Sequence, residues 1–165
     1  MALPDDYLAD AKAATEHPTI ARQSRLRRAT STAYYALFLE LIDSVGGSLA
    51  PSSPPGLRSL PGRKLTHDQM RKACAQWIGA GSPWTTALGI APPPQGLKDV
   101  AEAFVGLQQL RHEADYDLDA ALSSAGVQAH IAWAENAISR WRATKTASPD
   151  HAAIFMVSLM HPSPR

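Results

Sequence analysis

Residues 27–38 read Arg27-Arg28-Ala29-Thr30-Ser31-Thr32-Ala33-Tyr34-Tyr35-Ala36-Leu37-Phe38. Around this stretch, apolar side chains recur at steps of three and four residues, which places them on one face of an α-helix. They are Leu26, Ala29, Ala33, Leu37 and Leu41. The pattern predicts a long helix from about Thr19 to Val45 that ends at Gly46-Gly47.

A second stretch, further along the chain, reads Leu110-Arg111-His112-Glu113-Ala114-Asp115-Tyr116-Asp117. It ends a predicted helix over residues 97–116, whose apolar stripe includes Val100, Phe104 and Leu107. Like the first stretch, it places an arginine and a tyrosine inside an otherwise apolar helical pattern. Both side chains carry polar groups that need partners when one helix packs against another. The two stretches therefore predict a buried polar seam or a cleft that binds an anion.

The rest of the chain predicts further helices and no strand. Three more segments have helical periodicity, namely residues 4–16, 66–78 and 118–143. Proline and glycine are dense between the predicted helices in two places, which indicates two long loops, over residues 46–64 and 79–96. We therefore predict an all-α fold, an up-and-down bundle of four to five helices with two long loops rich in proline and glycine.

The domain organisation follows from the same pattern. We expect residues 1–143 to form the helical bundle as one domain. Residues 144–165 are expected to form a C-terminal tail that contains a short apolar segment, residues 152–160. Because an exposed apolar segment would be adhesive, we expect this segment to dock on the bundle or on a second subunit.

Composition excludes several classes of protein. The chain has 165 residues and a net charge of +1, so it lacks the global field of a general nucleic-acid or membrane-surface binder, and any phosphate recognition must be local. One cysteine, Cys74, excludes a disulfide framework and a cysteine-based zinc cluster within the chain. We expect no metal and no cofactor. The first residues lack the basic and apolar regions of a signal peptide, and no apolar run approaches the roughly 20 residues that span a membrane. A cytoplasmic protein without a membrane segment is the expectation.

Charge clusters mark the two key helices. In the predicted helix over residues 19–45, arginines gather near the positive end of the helix dipole, at Arg22, Arg25, Arg27 and Arg28. Acidic residues gather at the end of the other helix, at Glu113, Asp115, Asp117 and Asp119. In an antiparallel pair these two ends meet, so one interpretation is a set of structural ion pairs, with Glu113, Asp115 and Asp117 as the acceptors. The other is that Arg25, Arg27 and Arg28, with Tyr34 and Tyr35, bind an anion such as RNA.

The stretch from Ser31 to Phe38, followed by residues 110–116 late in a later helix, resembles the HEPN superfamily. The match is with its branch of small bacterial proteins that carry AYYA.F and R..ADY signatures. The resemblance implies a helical bundle that forms a homodimer. It also implies a metal-independent ribonuclease, in some members a toxin paired with a nucleotidyltransferase antitoxin. In that superfamily an arginine and a histidine a few residues later share a cleft between two subunits, where the arginine holds the scissile phosphate and the histidine moves a proton.

On this chain Arg111 matches the arginine of that pattern, and Tyr116 stands where the histidine is expected. His112 is adjacent to Arg111, so the two side chains point about 100° apart on a helix. The catalytic candidates are Arg111, His112 and Tyr116. The missing imidazole could also come from another helix, through His67 or His130, although a histidine in a bundle is more often a solvated or core residue.

Three functions remain open on the sequence. The first is an RNA-binding or RNA-cleaving component of a bacterial toxin–antitoxin or defence system. The second is a non-catalytic adaptor, or a nucleotide-binding partner of a nucleotidyltransferase or another protein, which the absent histidine and the apolar tail favour. The third is a structural protein whose arginines pair only with its own acidic helix end.

Overall fold

The computed structural model describes residues 2–15, 23–49, 52, 62, 64–79 and 82–161. Within these residues there are seven helices and no strand, so the predicted all-α class is confirmed. The helices are α1 (Leu3–Thr15), α2 (Gln23–Leu49), α3 (His67–Ala75), α4 (Pro83–Ala87), α5 (Gln95–Tyr116), α6 (Ser124–Ala147) and α7 (Pro149–Met160). No described helix is both long and apolar enough to cross a membrane.

Two of these helices lie outside the segments predicted to be helical. α4 forms in the predicted loop 79–96, where Ser82 and Thr85 make a reciprocal capping box and Pro83 occupies the first turn. α7 forms in the predicted tail and packs on the bundle with Phe155 and Leu159 fully buried. Local caps and tertiary burial add these helices to the four or five that periodicity predicts.

The predicted end of α2 at Gly46-Gly47 is wrong. The helix continues to Leu49, because its last turns are held by other helices. Ser44 Oγ accepts a hydrogen bond from Trp141 Nε1 of α6 at 2.8 Å, and Ser48 Oγ donates to Met156 Sδ of α7 at 3.3 Å. These contacts offset the cost of glycine in a helix, about 1 kcal/mol for each glycine. Most of the predicted loop 46–64 lies outside the described residues.

The predicted start of the helix over 118–143 is also wrong. α6 begins at Ser124, where the Ser123 side chain accepts a hydrogen bond from the Gly126 backbone at 3.1 Å, and it ends at Ala147. Gly126 therefore lies in the first turn, where a glycine kinks nothing. Residues 117–123 connect α5 to α6 without helical structure, and the Arg27 side chain of α2 binds the backbone of this connection, as described below.

The four longest helices pack side by side. The start of α2 meets the end of α5, through Arg27 and Ala114, and the start of α5 meets the end of α6, through an ion pair of Asp99 with Arg140. α1 also runs opposite to α6, since Asp5 near its start binds Arg142 near the end of α6. These antiparallel pairings surround a core whose largest buried side chains are Trp77, Trp141, Tyr34, Phe104 and Phe155.

Candidate functional site

The two tyrosines of α2 occupy different depths. Tyr34 is fully buried, and its ring lies edge-on to Phe104 of α5, with 5.5 Å between ring centres. Tyr35 is half-buried. Because consecutive residues of a helix point about 100° apart, Tyr34 enters the core while Tyr35 stays at its edge, where Arg111 of α5 reaches it.

Arg111 extends from the last turns of α5 across the Tyr35 ring. Its Nη2 donates a hydrogen bond to Tyr35 Oη at 3.3 Å, and the guanidinium carbon lies 5.7 Å from the centre of the Tyr35 ring and 5.9 Å from that of Tyr116. Nε lies 2.7 Å from Asp115 Oδ2, an ion pair rather than an aligned hydrogen bond. Nη1 makes no hydrogen bond to a described residue. The side chain is 18% exposed, so the guanidinium is not sealed from solvent, and Nη1 is its terminal nitrogen without a hydrogen-bond partner in the described part of the chain.

Asp115 joins the two key helices. Its Oδ1 accepts a hydrogen bond from Ser31 Oγ of α2 at 2.6 Å, and its Oδ2 pairs with Arg111. Sequence reasoning missed Ser31, although the serine lies inside the first quoted stretch, four residues before Tyr35 on the same side of the helix. The carboxylate thereby fixes the position of the guanidinium relative to α2.

His67 brings an imidazole to the tyrosines from a third helix. It is the first residue of α3, directly after the N-cap Thr66, and its Nδ1 lies 2.7 Å from Tyr34 Oη. The ring packs on Phe38, with 4.2 Å between ring centres. Burial lowers the pKa of His67, and the positive charge of Arg111 lowers that pKa further. Of the two histidines considered as distant sources of an imidazole, His67 is the one that lies beside Tyr34, whereas His130 lies 3.3 Å from the hydroxyl of Thr30.

The other two catalytic candidates lie on the outside of α5. Tyr116 is 64% exposed, and the ring of His112, which is also exposed, lies 5.0 Å from the Tyr116 ring. Tyr116 still contacts Arg111 through its ring face. Within the described residues, the His112 side chain makes no hydrogen bond with Tyr34, Tyr35 or Arg111, because adjacent side chains of a helix point about 100° apart.

Arg27 binds backbone instead of carboxylates. Its two terminal nitrogens donate hydrogen bonds to four carbonyl oxygens at and beyond the end of α5: Ala114 at 2.8 Å, Asp117 at 2.7 Å, Leu118 at 3.3 Å and Ala120 at 2.7 Å. A cation at a helix C-terminus satisfies carbonyls that lack partners within the helix and complements the helix dipole. The predicted role of Arg27 in anion binding is therefore replaced by a structural one.

Arg25 and Arg28 line an open groove between α1 and α2. The groove has a volume of about 540 Å³, and Asp10, Ser24 and Thr32 contribute to its lining. Both arginines are exposed, and neither makes an ion pair with a described residue. Arg22, the fourth arginine of the predicted cluster, lies outside the described residues.

The acidic residues at the end of α5 do not pair with the arginines of α2 within the described part of the chain. Asp115 pairs with Arg111 on its own helix, Glu113 accepts a hydrogen bond from the Gln109 side chain at 2.9 Å, and Asp117 accepts one from the Asp119 backbone at 3.0 Å. Of the three predicted ion-pair acceptors, only Asp115 has an ion pair with a residue that the structure describes. Glu113 and Asp117 accept local hydrogen bonds instead, and Arg27 of α2 binds backbone carbonyls.

Comparison with known proteins does not assign the chain to a family. No family model matches the chain, and no significant match is found among curated proteins or solved structures. The described residues also contain no group of three or more histidine, cysteine or acidic side chains that could hold a metal ion. The chemistry of the site therefore has to be argued from the side chains of Tyr34, Tyr35, His67, Arg111 and Asp115.

Two half-buried histidines, His67 and His130, make stability depend on pH. Burial lowers the pKa of both His67 and His130, so between the unfolded value of about 6.5 and the lower folded values the unfolded chain binds more protons than the native protein. We expect the free energy of unfolding, measured by urea denaturation, to be constant above about pH 7 and to fall from pH 6.5 downward. His67→Asn should reduce this fall, and the exposed His112→Asn serves as the control. Equal stability of the wild type at pH 7.5 and pH 5.5 would contradict the assignment.

Proposed function

We propose that this protein is a HEPN-type RNA-binding protein of a bacterial toxin–antitoxin or defence system, and that it holds an RNA phosphate on Arg111. The observation that carries the proposal is the convergence of Tyr35, His67 and Arg111 from three helices, α2, α3 and α5. Two of these residues belong to the stretches that resemble the superfamily. A guanidinium that is fixed on two sides and open at Nη1 suits a phosphate oxygen, because arginine offers several N–H donors in one plane.

The groove between α1 and α2 offers two further arginines, Arg25 and Arg28, on the helix that carries Tyr35. Arg28 precedes Tyr35 by seven residues, which is two turns or about 10 Å along the helix. A single RNA strand whose phosphate lies on Arg111 therefore has neighbouring phosphates within reach of Arg28 and Arg25. Cationic side chains without a carboxylate partner are well suited to this contact. Binding a phosphate releases counterions from the RNA, and no ion pair within the protein has to break first.

RNA binding tests the proposal directly. We expect the wild-type protein to bind a fluorescently labelled single-stranded RNA in an anisotropy titration at low salt. Arg111→Ala should weaken the affinity by about 10-fold to 100-fold, which corresponds to the loss of one charge-assisted contact of about 1.5 to 3 kcal/mol. The slope of log affinity against log salt concentration should also decrease in magnitude by about 1, which is the contribution of one phosphate contact.

Arg140→Ala is the matched control. Arg140 is a partly exposed arginine of α6 whose Nη1 lies 2.7 Å from Asp99, near the start of α5. The Nε of Arg111 lies at the same distance from Asp115, but near the end of α5. The control variant should bind RNA like the wild type. If Arg111→Ala and wild type bind RNA equally, or if neither binds, the proposed function fails.

A second candidate function is the adaptor, with a nucleotidyltransferase or a second copy of this chain as the partner. The observation that favours it is a pair of exposed side chains at the end of α5, Tyr116 at 64% and Leu118 at 88% exposure. Exposed apolar and aromatic side chains of this kind are common at protein interfaces. Co-expression with the products of neighbouring genes tests it, because an adaptor retains its partner when Arg111 is replaced by alanine and loses it in Leu118→Asp.

A further inference from the structure

The hydrogen bond between Tyr34 and His67 lies between a buried hydroxyl and a half-buried ring. Tyr34 Oη and His67 Nδ1 are 2.7 Å apart, and Tyr34 is fully buried. The rings of Phe38 and Phe104 pack around the phenol, with centres 5.9 Å and 5.5 Å from that of Tyr34. The hydroxyl has one hydrogen-bond partner within the described residues, His67 Nδ1, and this partner determines where its proton points.

The direction of this hydrogen bond follows from the donors and acceptors present. A phenol has one proton to donate, and a buried donor without an acceptor is costly. If His67 Nδ1 carried a proton and donated it, the proton of Tyr34 would have no acceptor among the described residues. If Tyr34 donates to an unprotonated Nδ1, both groups are satisfied. The second arrangement is favoured, and it places the proton of the neutral imidazole on Nε2.

The charges around His67 favour the neutral ring. Burial opposes a positive charge on the ring, and the nearby positive charge of Arg111 opposes it further. The acidic neighbour on the same helix, Asp68, is paired with Arg71 and Lys72, with nitrogen to oxygen distances of 3.2 Å and 2.7 Å. The carboxylate nearest in the sequence is therefore occupied by two cations, and His67 remains neutral around pH 7.

We propose that Tyr34 is a positioning residue that holds His67 as the Nε2–H tautomer, so that His67 binds an RNA phosphate oxygen as a neutral hydrogen-bond donor and does not act as a base. Nδ1, the nitrogen that carries a lone pair, is occupied by the Tyr34 hydroxyl. Nε2 carries the proton and cannot accept another from a ribose hydroxyl. The site then holds the phosphate between Arg111 and His67 without His67 abstracting the proton that cleavage requires.

The first half of this proposal does not depend on RNA. We expect long-range ¹H–¹⁵N correlation spectra of the full chain at pH 7.5 to assign a protonated Nε2 and an unprotonated Nδ1 to His67. Tyr34→Phe removes only the hydroxyl, and it should introduce a population with the proton on Nδ1. Tyr7→Phe, a change on α1, is the control and should leave the pattern of His67 unaltered. A wild-type spectrum with the proton on Nδ1 would overturn the assignment, and this result does not depend on how well a variant folds. An unaltered pattern in folded Tyr34→Phe would overturn it as well.

The second half rests on the proposed function. We expect wild-type protein to bind a labelled single-stranded RNA and to leave its length unchanged on a denaturing gel, while Tyr34→Phe binds it about 3-fold to 10-fold more weakly. RNA cleavage that is lost in His67→Asn would overturn the non-catalytic role of His67. The two proposals fail separately: a protonated Nε2 in a protein that binds no RNA contradicts the proposed function, whereas RNA binding with a protonated Nδ1 contradicts only this inference.

Discussion

Replacing Arg27 by alanine should lower the free energy of unfolding by about 3 kcal/mol, since charge-assisted hydrogen bonds are worth about 1.5 to 3 kcal/mol each and four are lost together. Ala114, one of the four acceptors, is buried, so its carbonyl would lose its partner with little access to water. The exposed carbonyls at Asp117 and Leu118 would be hydrated instead, which keeps the total below a simple sum. Urea denaturation followed by circular dichroism measures the change.

The control variants separate this role from charge alone. Arg28→Ala removes an exposed arginine from the next position of α2 and should change stability by less than about 0.5 kcal/mol. Arg27→Lys keeps the charge but loses the planar fork of donors, so we expect it to recover less than half of the stability. If Arg27→Ala is no less stable than Arg28→Ala, Arg27 does not hold the end of α5.

Replacing Glu40 by alanine should lower the free energy of unfolding by about 2 kcal/mol. The Glu40 side chain is only 8% exposed; its Oε2 lies 2.7 Å from Arg142 Nη2 and its Oε1 lies 3.6 Å from Lys145 Nζ. Removing one partner of a buried ion pair costs about 3 to 5 kcal/mol because the remaining charge is left uncompensated. Arg142 and Lys145 are partly solvated and Arg142 retains Asp5, which reduces the expected loss.

Glu135→Ala is the comparison for this prediction. Glu135 pairs with Lys12 on the surface, and both side chains are nearly half exposed. Exposed pairs contribute about 0 to 1 kcal/mol, so this variant should remain close to the wild type in the same urea titration. Similar losses in the two variants would show that burial of Glu40 contributes nothing to the strength of its pairs.

The parts of the fold that periodicity could predict are the long amphipathic helices. The positions of α2 and α5 follow from apolar side chains that repeat along one face, and burial of Leu37, Leu41, Val100, Phe104 and Leu107 agrees with that pattern. The short α4 and the extension of α2 past Gly46 were not predictable in this way. The helix α4 depends on a capping box, and the end of α2 depends on contacts with α6 and α7. Glycine and proline in these segments predict loops instead of helices.

The site was predicted in part. The two stretches with arginine and tyrosine do meet at Tyr35 and Arg111, because helices that carry unpartnered polar groups on an apolar face tend to satisfy them against each other. The periodicity of apolar residues did not predict the contact of His67 with Tyr34. The sequence indicated only that His67 could bring an imidazole from another helix. Arg27 could not be distinguished from Arg25 or Arg28, since all three are arginines within the first turns of one helix.

Sequence periodicity alone established the helical class and the two helices that bear the arginine and tyrosine side chains, because the spacing of apolar residues along a helix is a local property. Which partner each polar side chain has was set by packing between residues far apart in the chain. A guanidinium binds a carboxylate, a carbonyl or a phenol with similar geometry, so the choice depends on which acceptor the neighbouring helix brings within about 3 Å. Arg27 therefore became a structural residue, and Arg111 remained the candidate for binding an anion.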